Sequence, residues 1–197
     1  MAFSAPNENE PAATRFEAAT LPFMEALYNQ ALRLTRRPED ARDMVQETYL
    51  RAYRTFSSFK EGTNCKAWLF TILYSIFVNK YRKEQREPDT VSIEELEEKF
   101  HRTFGDPDWE TNFAALTRSE FNWQEPEVNH ALAKLPEDFR SAVLLVDVEA
   151  FTYEEAAAAL DCPVGTLRSR LFRARRILFL ELHDYARRRG LIRRPPI

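Results

Sequence analysis

Apolar residues recur at helical spacing over two separate blocks of this 197-residue chain, and this periodicity constrains the fold more than any other feature. The first block covers residues 21–86 and the second covers residues 128–189. Between them, residues 87–127 lose the periodicity and gather acidic residues, proline and isolated aromatics. No strand-like alternation of useful length appears in either block. We therefore predict an all-α fold with two small helical domains joined by an acidic flexible linker.

The remaining segments predict tails and exclude several classes of protein. Residues 1–20, rich in Ala, Pro, Asn and Glu, are predicted to be a mobile tail, and residues 190–197 a basic tail. The N-terminus lacks the basic and apolar regions of a secretion signal. The longest nearly apolar run, residues 67–78, has 12 residues, well short of the roughly 20 that span a bilayer. We expect a cytoplasmic protein without membrane insertion.

Cysteine and histidine are too sparse and scattered to indicate a bound metal or a disulfide framework. Cys65 and Cys162 lie 97 positions apart, and the three histidines are equally dispersed. No paired carboxylates and no Ser/His/Asp set have the spacing that catalysis requires. We therefore expect no cofactor, no metal site and no enzymatic activity.

The charge is distributed unevenly along the chain. The formal net charge of -3 argues against a nucleic-acid partner when taken alone. Residues 21–86, however, carry 12 basic and 7 acidic side chains, and the last 36 residues carry 10 basic and 2 acidic ones. Residues 87–127 carry 12 acidic and 3 basic side chains. Two basic blocks separated by an acidic stretch are typical of two nucleic-acid-facing modules on one chain.

The C-terminal block carries the sharpest local signal. Thr152 and Glu155 form a capping box that opens a short helix, and Pro163 opens a longer basic helix after a tight turn. This order predicts a helix-turn-helix. The inward stripe of the long helix comprises Val164, Leu167, Leu171, Ala174 and Leu178, and the outward face comprises Thr166, Ser169, Arg170 and Arg173. That outward face suits DNA recognition, and an ordinary solvated, arginine-rich helix is the alternative.

The segment DARDMVQETYLRAYR predicts a helix with one mixed-charge face and one apolar face. The polar side comprises Asp40, Asp43, Glu47, Arg51 and Arg54, and the other side comprises Val45, Tyr49, Ala52 and Phe56. Glu47 and Arg51 form a favourable i,i+4 pair, whereas Asp43 and Glu47 repel each other. The periodicity leaves two interpretations of the polar side open, a solvated face and a docking surface for a protein partner.

The segment AWLFTILYSIFVNKYRK predicts a second unusual helix. Its buried side comprises Leu69, Leu73, Ile76 and Phe77. The opposite side comprises Thr71, Ser75, Asn79 and Arg82, and lies beside Trp68. This opposite side is flanked by Tyr74, Lys80, Tyr81 and Lys83. Aromatic rings interleaved with amide and basic groups suit unpaired bases, whose flat faces stack on the rings. The alternative is that Trp68 and the tyrosines are core residues with polar tips.

Taken in order, these motifs resemble those of bacterial extracytoplasmic-function (group 4) RNA polymerase sigma factors. The resemblance is carried by DARDMVQETYLRAYR, AWLFTIL, NKYRK and LPEDFRSAVLLVDVEAFTYEEAAAALDCPVGTLRSRLFRARR, and it covers about residues 21–86 and 128–189. The stretches YRKEQREP and DYARRRGL are similar to the subgroup associated with thiol-oxidative stress. The chain departs from the family pattern at Ser75, where Asn is common, and at Asn79, where Asp is common.

The resemblance implies a role for each block. Residues 21–86 would bind core RNA polymerase and the minus-10 element, and residues 128–189 would bind the minus-35 element, so that the chain directs promoter-specific initiation. Core polymerase would contact Asp40, Asp43, Gln46, Glu47 and Arg51. The minus-10 element would contact Lys60, Lys66, Trp68, Tyr74, Ser75, Asn79, Lys80, Arg82 and Lys83, with the loop from Ser58 to Lys66 capturing a flipped base. The minus-35 element would contact Thr166, Arg168, Ser169, Arg170, Phe172 and Arg173.

The resemblance also implies partners and competing interpretations. The acidic linker would thread the polymerase channel that later carries RNA, and an anti-sigma factor would hold the protein in resting cells. Catalysis would belong to the polymerase. The main alternative is a conventional helix-turn-helix regulator, which would bind two-fold symmetric operators without polymerase. A sigma factor instead needs core enzyme and an asymmetric promoter with two elements.

Overall fold

The computed structural model describes residues 11–60, 62–81 and 121–190, together with residues 95, 98, 100, 111, 113, 114 and 117. All regular elements in these described parts are helical, which confirms the predicted all-α class. The chain divides into two compact units. The first comprises residues 1–86 with 155–161, and the second comprises residues 87–154 with 162–197.

Four helices and three short helical turns make up the described part of residues 1–86 in the first unit. They are α1 (Ala12–Thr20), a 3-10 turn (Leu21–Phe23), α2 (Met24–Thr35), α3 (Pro38–Thr55), a second 3-10 turn (Phe56–Ser58), α4 (Cys65–Ile76) and a π-helical turn (Phe77–Tyr81). Arg36 ends α2 in the left-handed region with φ 58°, and Pro38 begins α3 two residues later. The sequence thus turns the chain back sharply, and α2 packs against α3.

The core of the first unit is formed by apolar residues of α2, α3 and α4. The predicted inner face of α4 is confirmed, because Leu69, Leu73, Ile76 and Phe77 are each at most 1% exposed. Leu27 of α2 is also fully buried. This continuous apolar side anchors α4, so that its other side is left at the surface.

The prediction of a mobile tail over residues 1–20 is wrong for residues 12–20, which form α1. The reason is the side chain of Phe16, which is only 7% exposed because its ring packs against α3 and the following turn. The composition of the segment, dominated by small and polar residues, concealed this one anchoring ring. Residues 1–10 and 191–197 of the predicted tails lie outside the described residues.

The remaining described helices lie mainly in the second unit. They are α5 (Pro126–Lys134), α6 (Glu137–Val143) continuing into a π-helical turn (Leu144–Val148), α7 (Tyr153–Ala159), of which residues 155–159 belong to the first unit, and α8 (Val164–Arg188). The predicted inward stripe of α8 is confirmed at Leu167, Leu171, Ala174 and Leu178, each at most 1% exposed. Val164, in the first turn, is half-buried.

Three phenylalanines of the predicted linker are buried in the second unit. Phe100, Phe113 and Phe121 are 3%, 5% and 8% exposed, respectively. The ring centroid of Phe100 lies 6.4 Å from that of Phe179 in α8, and Phe121 lies at the same distance from Tyr185. The described part of the linker is therefore anchored on α8 by aromatic side chains, which the non-periodic sequence did not predict.

Candidate nucleic-acid interface

The loop between α3 and α4 is held at both ends by local hydrogen bonds. Phe59 N donates to Phe56 O at 3.0 Å, and the Ser58 hydroxyl donates to Thr55 O at 2.6 Å. At the other end, Asn64 caps α4 by accepting a hydrogen bond from Ala67 N at 3.1 Å. The loop that the family resemblance assigns to base capture thus has a fixed entry and a fixed exit.

A tight turn lies inside this loop. Thr63 N donates to Lys60 O at 3.2 Å, and the Thr63 hydroxyl reaches the same carbonyl at 2.7 Å. Gly62, at the third position of the turn, has φ 84°, a conformation that side-chain-bearing residues rarely adopt. The Lys60 side chain is exposed beside this turn. Lys60 therefore presents a cation at the surface, next to a carbonyl that accepts two hydrogen bonds from Thr63.

Trp68 lies at the start of α4 and packs on the aromatic residues that precede the loop. Its ring centroid lies 4.8 Å from that of Phe59 and 6.3 Å from that of Phe56, and the side chain is half-buried. Thr71 and Ser75, which follow Trp68 by three and seven residues, are exposed. The surface of α4 thus begins with an indole ring and continues with small polar side chains, which allow close approach by a ligand.

The predicted minus-10 residues fall into three groups. Lys60, Ser75, Asn79 and Lys80 are exposed, while Lys66 is half-buried with its Nζ 5.7 Å from the ring centroid of Phe70. Tyr74, which was predicted to contact the minus-10 element, is instead buried. Its side chain is 1% exposed, and its hydroxyl accepts a hydrogen bond from Gln30 Nε2 at 2.5 Å. Tyr74 is therefore a core residue with a satisfied polar tip, the alternative that the sequence left open. Arg82 and Lys83 lie outside the described residues.

The mixed-charge face of α3 lies at the surface. Asp43, Gln46 and Arg51 are exposed, Asp40 and Glu47 are half-buried, and Arg51 Nε lies 2.7 Å from Glu47 Oε1. The other side of the helix is buried at Val45 and Ala52. Sequence reasoning missed Leu50, which is 44% exposed and falls on the same face at i+3 from Glu47 and i+4 from Gln46. An apolar residue within a charged stripe is the signal that could have identified it.

The outward residues of α8 differ in how far they reach solvent. Arg168, Ser169, Phe172 and Arg173 are exposed, and Thr166 is half-buried. The Arg168 guanidinium lies 5.6 Å from the ring centroid of Tyr153. Arg170 is different because its Nη2 donates to Asp138 Oδ2 at 2.7 Å and its side chain is only 22% exposed. Within the second unit, Arg170 therefore contributes to the attachment of α8 to α6.

Two further arginines of α8 serve the fold of the second unit. Arg175 donates to both carboxylate oxygens of Asp147, at 3.1 and 2.6 Å. Burial disfavours the charged guanidinium, but its hydrogen bonds to Asp147 and Tyr153 outweigh burial and raise the pKa of Arg175. Arg176 is 8% exposed, with its guanidinium 4.4 Å from the ring centroid of Phe100. Neither residue was among those predicted to bind DNA.

Three further observations on the described residues concern metal binding, membrane insertion and the reactivity of a thiol. No group of three or more His, Cys, Asp and Glu side chains that could hold a metal ion occurs among them. No helix in the described part of the chain is long and apolar enough to cross a membrane. Burial raises the pKa of the Cys65 thiol to about 11, so this thiol is largely protonated at neutral pH and is a weak nucleophile.

Comparison with known proteins matches the two helical blocks separately. The family model of sigma-70 region 2 matches residues 22–87, and that of sigma-70 region 4 matches residues 127–178. The chain is 40% identical over 157 residues to the ECF RNA polymerase sigma factor EcfG of Rhodopseudomonas palustris (strain TIE-1), covering 80% of this chain and 77% of that protein. It is 34% identical over 149 residues to the ECF RNA polymerase sigma-E factor of Escherichia coli (strain K12), covering 76% and 77%.

Two solved structures are similar to this chain in fold. The sigma factor RpoE from Bartonella quintana, in its co-crystal structure with the anti-sigma factor NepR, is similar with a TM-score of 0.62 and 31% identity, over 85% of this chain and 96% of that one. CnrH, in complex with the cytosolic domain of CnrY, is similar in fold, with a TM-score of 0.58 and 23% identity over 87% and 90% of the two chains.

An all-helical protein with sigma-70 region 2 followed by region 4 is a sigma factor of RNA polymerase. The chain belongs to the extracytoplasmic-function (ECF) family of these factors. This confirms the predicted function: the protein binds core RNA polymerase and directs promoter-specific transcription initiation. The competing interpretation, a conventional helix-turn-helix regulator, is not favoured, because the N-terminal block matches region 2.

Proposed function

We propose that the two units divide promoter recognition, with α4 and the loop from Ser58 to Lys66 binding the minus-10 element and α8 binding the minus-35 element. The observation that carries the proposal is the surface of α4 and of the π-helical turn that follows it, where the half-buried Trp68 ring is followed by exposed Ser75 and Asn79. The minus-10 contacts are then Lys60, Lys66, Trp68, Ser75, Asn79 and Lys80, and Arg82 and Lys83 remain part of this prediction.

Physical chemistry supports a base-capturing role for this surface. Extruding a base from a duplex costs a few kcal/mol, which must be recovered by stacking and hydrogen bonding to the flipped base. A flat indole can supply about 1 to 3 kcal/mol per stacked base. Asn79 carries an amide that can donate and accept at a base edge, and Lys60 supplies a cation for the backbone. Melting then needs no catalytic group in the sigma factor.

For the minus-35 element, the exposed arginines of α8 are the strongest candidates. Arg168 and Arg173 lie in the first three turns of α8, towards the end that enters the major groove in helix-turn-helix proteins. An arginine fork can reach guanine O6 and N7 together, and Ser169 and Thr166 offer short hydroxyls where the groove is close. Phe172 adds an apolar surface. Arg170 can join them only if it leaves Asp138.

We further propose that the exposed side of α3 docks on core polymerase. Asp40, Asp43, Gln46, Glu47 and Arg51 form this surface, with Leu50 as an apolar centre. Interfaces combine such an apolar centre with a polar rim. The acidic linker would follow the RNA channel of the polymerase, where its carboxylates take the place of a polyanion. Catalysis belongs to the polymerase, and the protein acts in the cytoplasm.

Regulation by an anti-sigma factor is also proposed, because the structurally similar RpoE was crystallised with the anti-sigma factor NepR. Such a partner would occlude the polymerase-binding and DNA-binding surfaces in resting cells. The protein should then be recovered from unstressed cells in a complex with one dedicated inhibitor. Recovery only as polymerase holoenzyme would contradict this part of the proposal.

One experiment tests the division of promoter recognition. The purified chain and core polymerase are incubated with a genomic DNA library, and initiation sites are mapped by sequencing the transcripts. We expect asymmetric promoters with two short elements at a fixed spacing. Asn79→Ala should relax selection within the minus-10 element and Arg173→Ala within the minus-35 element, whereas His130→Ala, an exposed change in α5, serves as the control. Equal losses on all sequences from both variants would contradict the proposal.

A further inference from the structure

A row of aromatic rings runs from α1 to the start of α4 in the first unit. The Phe16 ring centroid lies 5.2 Å from that of Phe56, edge to face at 83°. Phe56 stacks on Phe59 at 6.0 Å and 10°, and Phe59 lies 4.8 Å from Trp68. Four rings thus connect α1 with Trp68, the indole proposed to contact DNA. Helix α1 precedes the sigma-70 region 2 match, which begins at residue 22.

Phe16 is the buried end of this row. It is 7% exposed, whereas Phe56, Phe59 and Trp68 are all half-buried. Phe16 also meets Tyr53 edge to face at 5.2 Å and 78°. Because edge-to-face packing depends on ring orientation, the position of Phe16 restricts where the Phe56 ring can lie.

A hydrogen bond attaches α1 to α3, and a second one lies within α1. Tyr49 donates its hydroxyl hydrogen to Thr20 O at 2.8 Å, and the Thr20 side chain donates to Phe16 O at 2.8 Å. Thr20 is fully buried. The C-terminal end of α1 is therefore fixed on α3, and Phe16 is presented to Phe56 from a defined direction.

The row reaches both ends of the loop from Ser58 to Lys66. Phe56 and Phe59 flank its entry, where the Ser58 hydroxyl and Phe59 N close the 3-10 turn. Trp68 follows its exit by two residues. A displacement of Phe56 would shift Phe59 and with it the face on which Trp68 rests, so the mouth of the loop would change shape.

We propose that Phe16 is a positioning residue for promoter opening. Through Phe56 and Phe59 it sets the orientation of Trp68 beside the loop proposed to receive the flipped base. Helix α1 is then part of the promoter-melting unit, although none of its residues is among the proposed DNA contacts. The inference rests on the proposed minus-10 role of Trp68 and extends it to a residue outside the region 2 match.

The test measures opening and polymerase binding separately, with full-length protein and core polymerase on a promoter mapped as described above. Opening is followed by permanganate reactivity of minus-10 thymines, and polymerase affinity by competition. Phe16→Ala should lower opening about tenfold, the equivalent of roughly one lost base–aromatic stack, while polymerase affinity stays within about twofold. Phe16→Tyr, which keeps the ring, should restore opening to within about twofold of the wild type.

A stability-matched control separates positioning from general destabilisation. Leu34→Val alters a fully buried residue of α2 that lies outside the aromatic row, and assays are run at temperatures at which the two variants are equally folded. If Leu34→Val lowers opening as much as Phe16→Ala does, Phe16 has only a structural role. A parallel loss of polymerase affinity in Phe16→Ala would overturn the proposal in the same way.

A spectroscopic readout detects the coupling without DNA. In a chain with Trp109→Phe and Trp123→Phe, the emission comes from Trp68 alone, and Phe16→Ala should shift it to the red while Leu34→Val does not. An unchanged spectrum would contradict the coupling. Trp68→Ala tests the proposed minus-10 role itself: normal opening by this variant would refute that role, whatever the emission of the Phe16 variant shows.

Discussion

Helices α4 and α8 carry the proposed DNA contacts, yet they use charge in opposite ways. Within Cys65–Ile76, α4 has a single charged residue, Lys66, and its surface is made of small polar groups around Trp68. Helix α8 has seven arginines within Val164–Arg188. Arg170 and Arg175 pair with carboxylates of the second unit, and Arg176 is almost fully buried. The number of arginines in a basic segment is therefore larger than the number that can contact DNA.

The difference follows from what each helix packs against. Helix α4 buries an uninterrupted apolar side and needs no charge for its attachment. Helix α8 packs near Asp138 of α6 and Asp147 of the π-helical turn. A guanidinium that is largely removed from solvent requires such carboxylate partners. The same residue type thus serves the fold at Arg175, whereas Arg173 is exposed and is proposed to contact DNA. Mutations on the two helices should separate these uses.

The largest effect is expected from the buried side of α4. Leu73→Ala should lower the free energy of unfolding by about 2 to 5 kcal/mol, because it removes a fully buried side chain and leaves a cavity. Ser75→Ala, two residues along on the exposed side, should change it by less than about 0.5 kcal/mol. Urea denaturation followed by circular dichroism measures both. Similar losses from the two changes would contradict the proposed two-sided packing.

The second effect concerns the structural arginines of α8. Asp147→Ala should cost about 2 kcal/mol of stability, because it leaves the Arg175 guanidinium, 26% exposed, without its bidentate partner. Glu47→Ala removes the partner of Arg51 in an exposed i,i+4 pair of α3 and should cost less than about 0.5 kcal/mol. A thermal midpoint for Asp147→Ala as high as that for Glu47→Ala would mean that Arg175 is not structural.

The third effect distinguishes arginines that hold α8 from arginines that read DNA. Arg173→Ala should weaken promoter-specific binding by about 1 to 2 kcal/mol, because this exposed side chain is proposed to contact the minus-35 element. For Arg170→Ala, a similar loss of binding should come with a loss of stability, because the contact to Asp138 also disappears. Asp138→Ala releases Arg170 and decides its role. Unchanged promoter affinity in both Arg170→Ala and Asp138→Ala would restrict Arg170 to the fold. Binding is measured by fluorescence anisotropy of the holoenzyme on promoter and scrambled DNA.

Local periodicity predicted the helices and their buried sides well. The inward stripes of α4 and α8 follow from the spacing of leucine and other apolar residues, which is a property of neighbours along one helix. Tyr74 shows where prediction from periodicity fails. The spacing placed it at the edge of a DNA-facing strip, but its buried hydroxyl is paired with Gln30, 44 positions away. The partners of Arg170 and Arg175 are likewise 32 and 28 positions distant. Side-chain pairing over such separations leaves no periodic signal.

Single anchoring rings were the other feature that sequence patterns missed. Phe16 turns a segment of tail-like composition into α1, and Phe100, Phe113 and Phe121 anchor the predicted linker on the second unit. Phe16, Phe100 and Phe121 each contact a ring far along the chain. These partners are Phe56, Phe179 and Tyr185, so the burial of the three side chains depends on a surface formed elsewhere. The motifs of the binding surfaces could be identified from sequence, whereas the side chains that fix their positions could not.

The smallest effect is a pH dependence at the C-terminal end of α8. Tyr185 donates its hydroxyl hydrogen to Glu125 Oε2 at 2.7 Å, and Arg189 donates to the other carboxylate oxygen. The Tyr185 hydrogen bond first, and Arg189 second, lower the pKa of Glu125 against the opposing effect of burial. Because the pKa is lower in the folded than in the unfolded state, the stabilisation is complete above the unfolded value of about 4.5 and is lost as the pH falls through the folded value.

Glu125→Gln should therefore lower the thermal midpoint at neutral pH, and its difference from the wild type should shrink progressively below about pH 4.5. Glu127→Gln changes an exposed carboxylate two residues away and serves as the control, with no comparable difference at neutral pH. Scanning calorimetry from neutral pH into the acid range measures both. A difference between wild type and Glu125→Gln that stays constant through the acid range would mean that the charge of Glu125 does not hold this end of α8. The carboxylate pairing seen at Arg170 and Arg175 would then not extend to the end of the helix.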